Sequence, residues 1–397
     1  MSRKCAKCSI VSEIEEAFQK SYYSDKIFYC PTCREKDEIQ HGESYLIGCL
    51  TVLVGGFIWV LISPQNEFAW LVFQIGLTGC FYTVAAVLHE LGHVLAALTT
   101  KTKVLEVIIG LGKVLNSLDF WGIEWKFCAI PICGLTMISL SKRQFYKIKS
   151  FLTSLGGPLA NYFLIFVATI LLFRISSPWL LAFIRAFIAA NVFALLLSLF
   201  PKKSHFGGTI TSSDGLTLLT IPFMSESRIN QEIEAYCVWE GYSYYRRGLF
   251  EDAKRSYETA LANFPNSLAL HYGIGRVFLW LGKYTEARNL FVKLQQSTSL
   301  SPAMRIGILN AIATADVMIE GNELLEEADA FSKAAFEKMP WETECKWARG
   351  LVLVKKGNTE QGLALLKETA DKIENSFQKK LYVSYIADFE NKKSDIV

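Results

Sequence analysis

Two histidines and a glutamate interrupt one of the most apolar parts of this sequence. His89, Glu90 and His93 lie in the stretch VAAVLHELGHVLAALTTK, at 84–101. They come directly after a run without charged residues over 68–88. Residues four apart share one face of a helix, so the two imidazoles can be directed at a single point. This is the H-E-x-x-H arrangement, which binds zinc and uses the glutamate as a general base. The alternative is a chance match that contains two satisfied interior histidines.

The apolar surroundings of this motif favour a functional site over a chance match. An ionisable side chain at membrane depth costs about 2.5–3.5 kcal/mol, so its presence there indicates a functional site. A catalytic zinc has three protein ligands and one open position for water. The segment LFPKKSHFGGTITSSDGLTLL offers His205 and Asp214 as the third ligand. An Asp-Gly pair is most often only a turn, and chemistry alone does not decide between the two residues.

Four apolar segments must position these residues. Uncharged runs cover 44–66, 68–88, 150–173 and 186–201, and a helix needs about 20 mostly apolar residues to cross a bilayer. The hydrophobic share of 51% and the mean hydropathy of +0.25 agree with a membrane protein. The predicted membrane spans lie near 45–63, 70–98, 152–173 and 179–200. The net charge of +3 is small and scattered, which argues against a nucleic-acid partner.

Lysine and arginine in the connecting segments predict the orientation. The link SPQNE between the first two spans contains neither residue type, and Lys202 and Lys203 follow the fourth span. The segment 99–150 carries Lys101, Lys103, Lys113, Lys126, Lys142, Arg143, Lys147 and Lys149. Positive residues collect on the cytoplasmic side, so both termini are predicted to be cytoplasmic in a multi-pass protein of the cell membrane.

Three segments together resemble a known family. HELGH late in one span, SLGGPLANY at 154–162 and NVFALLLSLFP…SSDG at 191–215 resemble the signature segments of the site-2 protease family of intramembrane zinc metalloproteases. The similarity covers about residues 70–220. It implies that zinc is bound by His89, His93 and Asp214, that Glu90 activates water, and that Asn161 contacts the substrate or the developing oxyanion.

The sequence departs from the family pattern in two places. Ser198 stands where the family usually has asparagine, and thirteen positions separate Pro201 from Asp214, which is longer than the commonest spacing. Both departures concern the approach to Asp214.

The segment 104–139 has β-rich runs with glycine punctuation. It is similar to the membrane-associated β element of the family. An exposed strand edge there would bind an extended peptide by β-augmentation. A purely structural hairpin is the alternative.

Four cysteines near the N-terminus form a second candidate metal site. Cys5 and Cys8 make one C-x-x-C pair, and Cys30 and Cys33 make another. This spacing is close to that of tetrahedral four-cysteine zinc sites, and four thiolates leave no open position for catalysis. The pattern predicts a structural zinc ribbon in a reducing compartment, with disulfides as the alternative. The remaining cysteines show no ligand spacing.

The last part of the chain contains a repeat with a period of 34 residues. Gly241, Gly248, Phe250, Ala253 and Tyr257 recur as Gly275, Gly282, Tyr284, Ala287 and Phe291. The period and pattern resemble the tetratricopeptide repeat, a helix–turn–helix unit that stacks into a solenoid with a concave surface. Such a surface usually binds a protein partner, and a structural tail is the alternative.

The sequence therefore predicts three parts: a zinc-ribbon-like domain over 1–40, a helical membrane domain with a small β element over 44–224, and an all-α repeat domain over 228–397. The predicted function is zinc-dependent hydrolysis of peptide bonds in or near transmembrane segments of membrane proteins within the lipid bilayer. One zinc ion would be catalytic and one structural. A membrane-anchored adaptor without protease activity is the alternative.

Overall fold

A computed structural model describes residues 3–12, 18–20, 28–206, 209–373, 379–380, 382–387 and 390. The chain divides into two compact units, one of Glu35–Ile233 and one that joins Met1–Arg34 to Glu234–Val397. The domain boundaries expected from the sequence, near 40–44 and 224–228, remain predictions.

Four long helices dominate the first unit: α1 (Pro31–Ile62), α2 (Glu67–Thr99), α3 (Tyr146–Leu172) and α4 (Pro178–Leu199). All four are long and apolar enough to cross a membrane. The first begins well before the span expected from hydropathy, because the polar segment before that span is also helical. Pro31 occupies its first position, where proline is favoured because the missing N–H has no partner in a helix start. The start of α1 therefore falls between the two cysteines of the second C-x-x-C pair.

Small residues allow these helices to pack closely. A side chain at Gly92 of α2 would clash with the backbone of Gly156 in α3, so the two helices cross in contact. On α4 a stripe of alanines at four-residue spacing is buried: Ala182, Ala186, Ala190 and Ala194. Between helices in lipid the hydrophobic effect is weak, and close van der Waals packing of small residues drives association. Large apolar side chains such as Phe163 and Leu196 point outward.

The β element expected between spans two and three is present as β5 (Lys103–Phe120) and β6 (Ile123–Ser139). The two strands are long and irregularly paired, with several register shifts. Residues 106–109 have partners on both sides, 134–137 and 124–127. The part of β6 near Gly134 and Thr136 thus lies beside the first half of β5.

A short hairpin follows α4 and consists of β7 (Lys203–Phe206) and β8 (Thr209–Ser212). The chain then enters the short helix α5 (Asp214–Thr220) and a single 3₁₀ turn at Ile221–Phe223. Ser213 closes the hairpin, because its backbone N–H donates to the Lys202 carbonyl at 2.9 Å and its hydroxyl donates to the Phe200 carbonyl at 2.8 Å. The two strands of this hairpin lie between Pro201 and Asp214, in the segment whose length departs from the family pattern.

The second unit combines four short strands and a series of helices. The strands are β1 (Arg3–Lys4), β2 (Val11–Ser12), β3 (Gln19–Lys20) and β4 (Phe28–Tyr29), paired as β1 with β2 and β3 with β4. The helices are α6 (Glu226–Arg246), α7 (Phe250–Leu261), α8 (Leu268–Trp280), α9 (Tyr284–Gln295), α10 (Pro302–Met318), α11 (Leu325–Lys338), α12 (Thr343–Lys355) and α13 (Thr359–Lys372). Helix α6 begins in the first unit and ends in the second.

Glycines set the packing of three helix pairs. A Cβ at Gly241, Gly275 or Gly350 would meet a large side chain of the following helix, and those side chains belong to Tyr257, Phe291 and Leu366. Each contact joins residues sixteen positions apart. The turns inside these pairs contain Gly248, Gly282 and Gly357, which have φ values of +75°, +72° and +90°. Glycine adopts this left-handed conformation without the steric strain that a Cβ would cause.

Candidate active site

Two histidines from α2 and one aspartate from α5 meet in the first unit. The His89 Nε2 atom lies 3.0 Å from Asp214 Oδ2 and 3.1 Å from His93 Nε2. The His93 Nε2 atom lies 3.4 Å from Asp214 Oδ1. These residues form one of the two groups of potential metal ligands among the described residues. One point can therefore be coordinated by all three side chains.

These distances fit a zinc ion. Zinc lies about 2.0–2.2 Å from nitrogen and carboxylate oxygen in tetrahedral sites, which separates neighbouring ligand atoms by about 3.3 Å. The three separations of 3.0–3.4 Å bracket this value. Gly157 of α3 adds to the fit, because a Cβ there would clash with the Nε2 atoms of both His89 and His93. Because Gly157 has no side chain, α3 leaves room for the ligand atoms to converge on one point.

Hydrogen bonds fix the orientation of both imidazoles. The Nδ1 atom of His89 lies 2.6 Å from Asn161 Oδ1, and the Nδ1 atom of His93 lies 2.7 Å from the Thr153 carbonyl. Both partners are acceptors, so they assign the proton of each ring to Nδ1. The Gly157 N–H also lies 3.3 Å from His93 Nδ1, but the Thr153 contact is much shorter and decides the tautomer. The Nε2 atoms are then left as lone-pair donors for a metal, an arrangement that is usual for metal-bound histidines.

Asn161 is buried in the bundle beside His89. Its side chain is 0% exposed, and its amide donates to the Ala85 carbonyl at 3.2 Å and to Asn191 Oδ1 at 2.9 Å while its oxygen faces His89. These contacts orient His89. The contact of Asn161 with the substrate or the developing oxyanion, which the family resemblance implies, remains a prediction.

The packing of α5 on the end of α4 positions Asp214 at the site. A Cβ at Gly215 would overlap the Leu199 carbonyl, so only glycine allows this close approach. The Asp-Gly pair therefore does more than form a turn. The two carboxylate oxygens of Asp214 face the Nε2 atoms of His89 and His93, at 3.0 Å and 3.4 Å. A carboxylate binds a metal ion in its charged form, so Asp214 can complete the ligand set with two neutral imidazoles.

Glu90 is buried beside the three ligands and contacts the β element. The Thr136 hydroxyl donates to Glu90 Oε2 at 2.7 Å. Gly134 lies against the Glu90 side chain, since a Cβ at this position would clash with it. Strand β6 therefore supports the predicted general base and fixes the direction of its carboxylate.

His205, the competing candidate for the third ligand, lies in β7. Its side chain is outside the described part of the structure. The assignment of Asp214 as the third ligand remains a prediction, and its test is given in the Discussion.

The cysteines near the N-terminus form the second group of potential ligands. The sulfur atoms of Cys5, Cys8, Cys30 and Cys33 all lie within 4.8 Å of one another. Cys8 Sγ is 3.5 Å from Cys30 Sγ, and a tetrahedral zinc site places its sulfurs about 3.8 Å apart. Burial raises the pKa of the Cys5, Cys30 and Cys33 thiols, and only at Cys5 do backbone N–H groups, that of Cys30 among them, outweigh it and lower the pKa to about 6. The protein thus stabilises the thiolate of Cys5, whereas a zinc ion would have to stabilise those of Cys30 and Cys33.

The cysteine cluster packs on the helical part of its own unit. Cys5, Phe18 and Cys30 are buried together and contact Trp341. The rings of Phe18 and Trp341 are 5.9 Å apart in an edge-to-face arrangement. The cysteines, short strands and this tryptophan thus share one small core.

Several residues that complete the first site could not be identified from local sequence patterns. Thr136, Thr153 and Asn191 each bond to a predicted site residue or to its partner. These residues are far from His89 along the chain, so no local sequence pattern indicates the contacts. Gly157 lies within the quoted segment SLGGPLANY, and its neighbour Pro158 already marked that region as unusual for a helix.

Four apolar helices, together with two histidines, an aspartate and a glutamate that meet at one of them, define a membrane protein with a candidate zinc hydrolase site. A profile of peptidase family M50 matches residues 80–387, which is more than half of the chain. The chain therefore belongs to peptidase family M50, the site-2 protease family of membrane zinc metallopeptidases.

Two individual similarities are weaker. A protein of Rickettsia conorii, whose assigned name is that of a zinc metalloprotease, is 31% identical over 110 residues. This match covers 23% of this chain and only 31% of the relative. The crystal structure of yeast Tom70 aligns with 92% of this chain and 85% of that chain at 10% identity and a TM-score of 0.31. A TM-score this low supports no conclusion about fold or function.

Proposed function

We propose that this protein hydrolyses peptide bonds in or near transmembrane segments of membrane proteins, with a zinc ion held by His89, His93 and Asp214. The main support for the proposal is that these three side chains converge beside Glu90. They do so in a unit that contains four helices long enough to cross a membrane. When bound, the zinc would act as a Lewis acid on the scissile carbonyl and make the attacking water more acidic.

The chain's own residues supply the proton transfers and the geometry. Glu90 accepts a proton from the attacking water and later delivers it to the leaving amine. The Thr136 hydroxyl donates to one carboxylate oxygen of Glu90, and the other oxygen lies next to Gly134, where no side chain blocks it. Asn161 and the Thr153 carbonyl keep both imidazoles in the tautomer that presents Nε2. The buried setting keeps bulk water away from the reacting groups.

The β element supports a mode of substrate binding. Residues 134–137 of β6 pair with 106–109 of β5, and Gly134 and Thr136 contact Glu90. A substrate segment that adds to this strand by β-augmentation would be extended next to the general base. A helix must be unwound before its peptide bonds can be reached, and strand pairing compensates for the backbone hydrogen bonds that unwinding breaks. Membrane-anchored regulators and signal-sequence remnants contain such segments, and we assign the substrates to these classes.

We also propose an orientation of this protein in the membrane and a role of its repeat helices in recruitment. Lysines and arginines in the segment 99–150 favour cytoplasmic termini in the cell membrane. The recurring glycine contacts of α6 with α7, α8 with α9 and α12 with α13 support tetratricopeptide-like repeats. We assign these repeats the capture of a protein partner or of a substrate tail.

The cellular test compares membrane proteins in cells that express the wild type or Glu90→Gln. Fragments that disappear in the variant, together with precursors that accumulate, identify the substrates. If no membrane protein changes, the chain acts as a membrane-anchored adaptor instead.

Zinc analysis tests the cysteine cluster separately. The purified full chain should contain two zinc ions per molecule, and replacing both Cys5 and Cys8 with serine should reduce this to one. Substitution is preferable to deletion of 1–40, because α1 already begins at Pro31. A single zinc ion that both proteins retain equally would rule out the structural site.

Truncation tests recruitment. A chain that ends after Met224 lacks α6–α13 but keeps α1–α5. We expect it to cleave a short transmembrane peptide at close to the normal rate in vitro, and to process its substrates in cells much more slowly. Equal processing in cells by the truncated and full chains would remove the recruitment role.

A further inference from the structure

A cavity in the second unit is lined by aromatic side chains. It is bordered by α8, α10, α12 and residues 382–387, and its interior volume is about 60 Å³. Its aromatic lining includes Tyr245, Tyr272, Trp280, Tyr284, Trp347 and Tyr385. Apolar and aromatic walls with a few polar groups are typical of ligand sites.

One buried polar group in this cavity lacks a partner. Asn310 of α10 lines the cavity and is only 6% exposed. Its Oδ1 atom is buried and has no hydrogen-bond partner among the described residues. A buried acceptor without a donor destabilises a fold, so such a group in a native protein requires an explanation. A ligand that donates a hydrogen bond to Asn310 Oδ1 would explain why this acceptor has no partner among the described residues.

The charged groups of the cavity already have partners. The Arg276 guanidinium lies 4.4 Å from the centre of the Tyr245 ring and forms an ion pair with Glu344. The Trp280 indole N–H donates to the Tyr245 hydroxyl at 2.7 Å. The arginine and glutamate compensate each other, so the cavity does not favour a ligand of either charge.

We propose that this cavity binds a short, uncharged peptide segment of a protein partner, which inserts an aromatic or large aliphatic side chain and donates a main-chain N–H to Asn310. Every residue except proline carries this donor, and the aromatic walls match an apolar side chain. A lipid acyl chain would fill the walls but has no donor for Asn310. The inference rests on the recruitment role proposed above and specifies its ligand.

The test uses the full chain with Glu90→Gln in lipid nanodiscs, so that binding is measured without hydrolysis. The probe is a blocked alanyl-tryptophyl-alanine peptide that carries a fluorotryptophan, observed by fluorine NMR. We expect saturable binding of this peptide. Methylation of the tryptophan backbone nitrogen, or Asn310→Leu in the protein, should each weaken it about tenfold, the effect of losing one hydrogen bond.

Thermal unfolding of the same variants separates binding from a structural role. Leucine is close in size to asparagine and removes the unpaired acceptor, so Asn310→Leu should not lower the unfolding midpoint. Equal binding of the two peptides, competition by a fatty acid alone, or a lower midpoint for Asn310→Leu would overturn the proposal. None of these results depends on protease activity, so failure here leaves the hydrolytic function untouched.

Discussion

Glu90→Gln is expected to abolish peptide hydrolysis while the protein keeps its fold and its zinc. The amide has nearly the shape of the carboxylate, and its oxygen can still accept the hydrogen bond from the Thr136 hydroxyl. It cannot accept a proton from water, so the variant loses general base catalysis. Such catalysis contributes about 10²–10⁴-fold to the rate, and cleavage should fall by at least that much. The measurement is cleavage of a purified membrane substrate, with bound zinc determined on the same samples.

A matched control lies at the other end of the same helix. Glu67 is exposed in the first turn of α2, far along the chain from the site. Glu67→Gln makes the same chemical change in the same helix and should retain normal activity. If Glu90→Gln cleaves as fast as Glu67→Gln, the protein is not a protease of this mechanism. If Glu90→Gln loses zinc as well as activity, the loss has a structural cause and Glu90 is not shown to be the base.

Asp214→Ala is expected to lose both activity and tightly bound zinc at the membrane site. Removal of a residue that only supports a metal ligand costs about 10–100-fold in affinity, so removal of a ligand itself should cost more. His205→Ala should retain most activity. The zinc measurement belongs in a chain that also carries serine at Cys5 and Cys8, so that metal at the cysteine cluster does not mask the result.

Asp214→Asn provides the conservative comparison. The amide keeps the shape that fits against α4 but lacks the negative charge, so zinc affinity should fall while the fold is retained. If His205→Ala removes the metal and both Asp214 variants keep it, the third ligand is His205. The family resemblance would then have been misleading at this position.

Local sequence patterns were sufficient for the features that depend on neighbouring residues. The spacing of His89 and His93 places both on one face of any helix, whatever surrounds that helix. The apolar runs predicted four spans, and each lies within a helix of the structure apart from a difference of one residue at the ends. The glycines at 34-residue spacing predicted helix pairs, because a residue without a side chain marks a close contact or a left-handed turn.

Tertiary structure was needed for every feature that joins distant parts of the chain. The family resemblance implies contact of Asn161 with the substrate or the developing oxyanion, but only the packing of α2, α3 and α4 shows that it also bonds to His89 and Asn191. Thr136 gave no signal, because only the folding of β6 beside α2 brings it to Glu90.

Asp214 shows the physical reason most clearly. The sequence offered it and His205 on nearly equal terms, since spacing along a flexible segment does not fix which side chain turns back. The hairpin closed by Ser213 and the contact of Gly215 with Leu199 decide the position of Asp214, and both depend on where α4 ends in space. Periodicity thus determines which residues share a helix face, whereas the approach of two faces depends on the packing of the whole bundle.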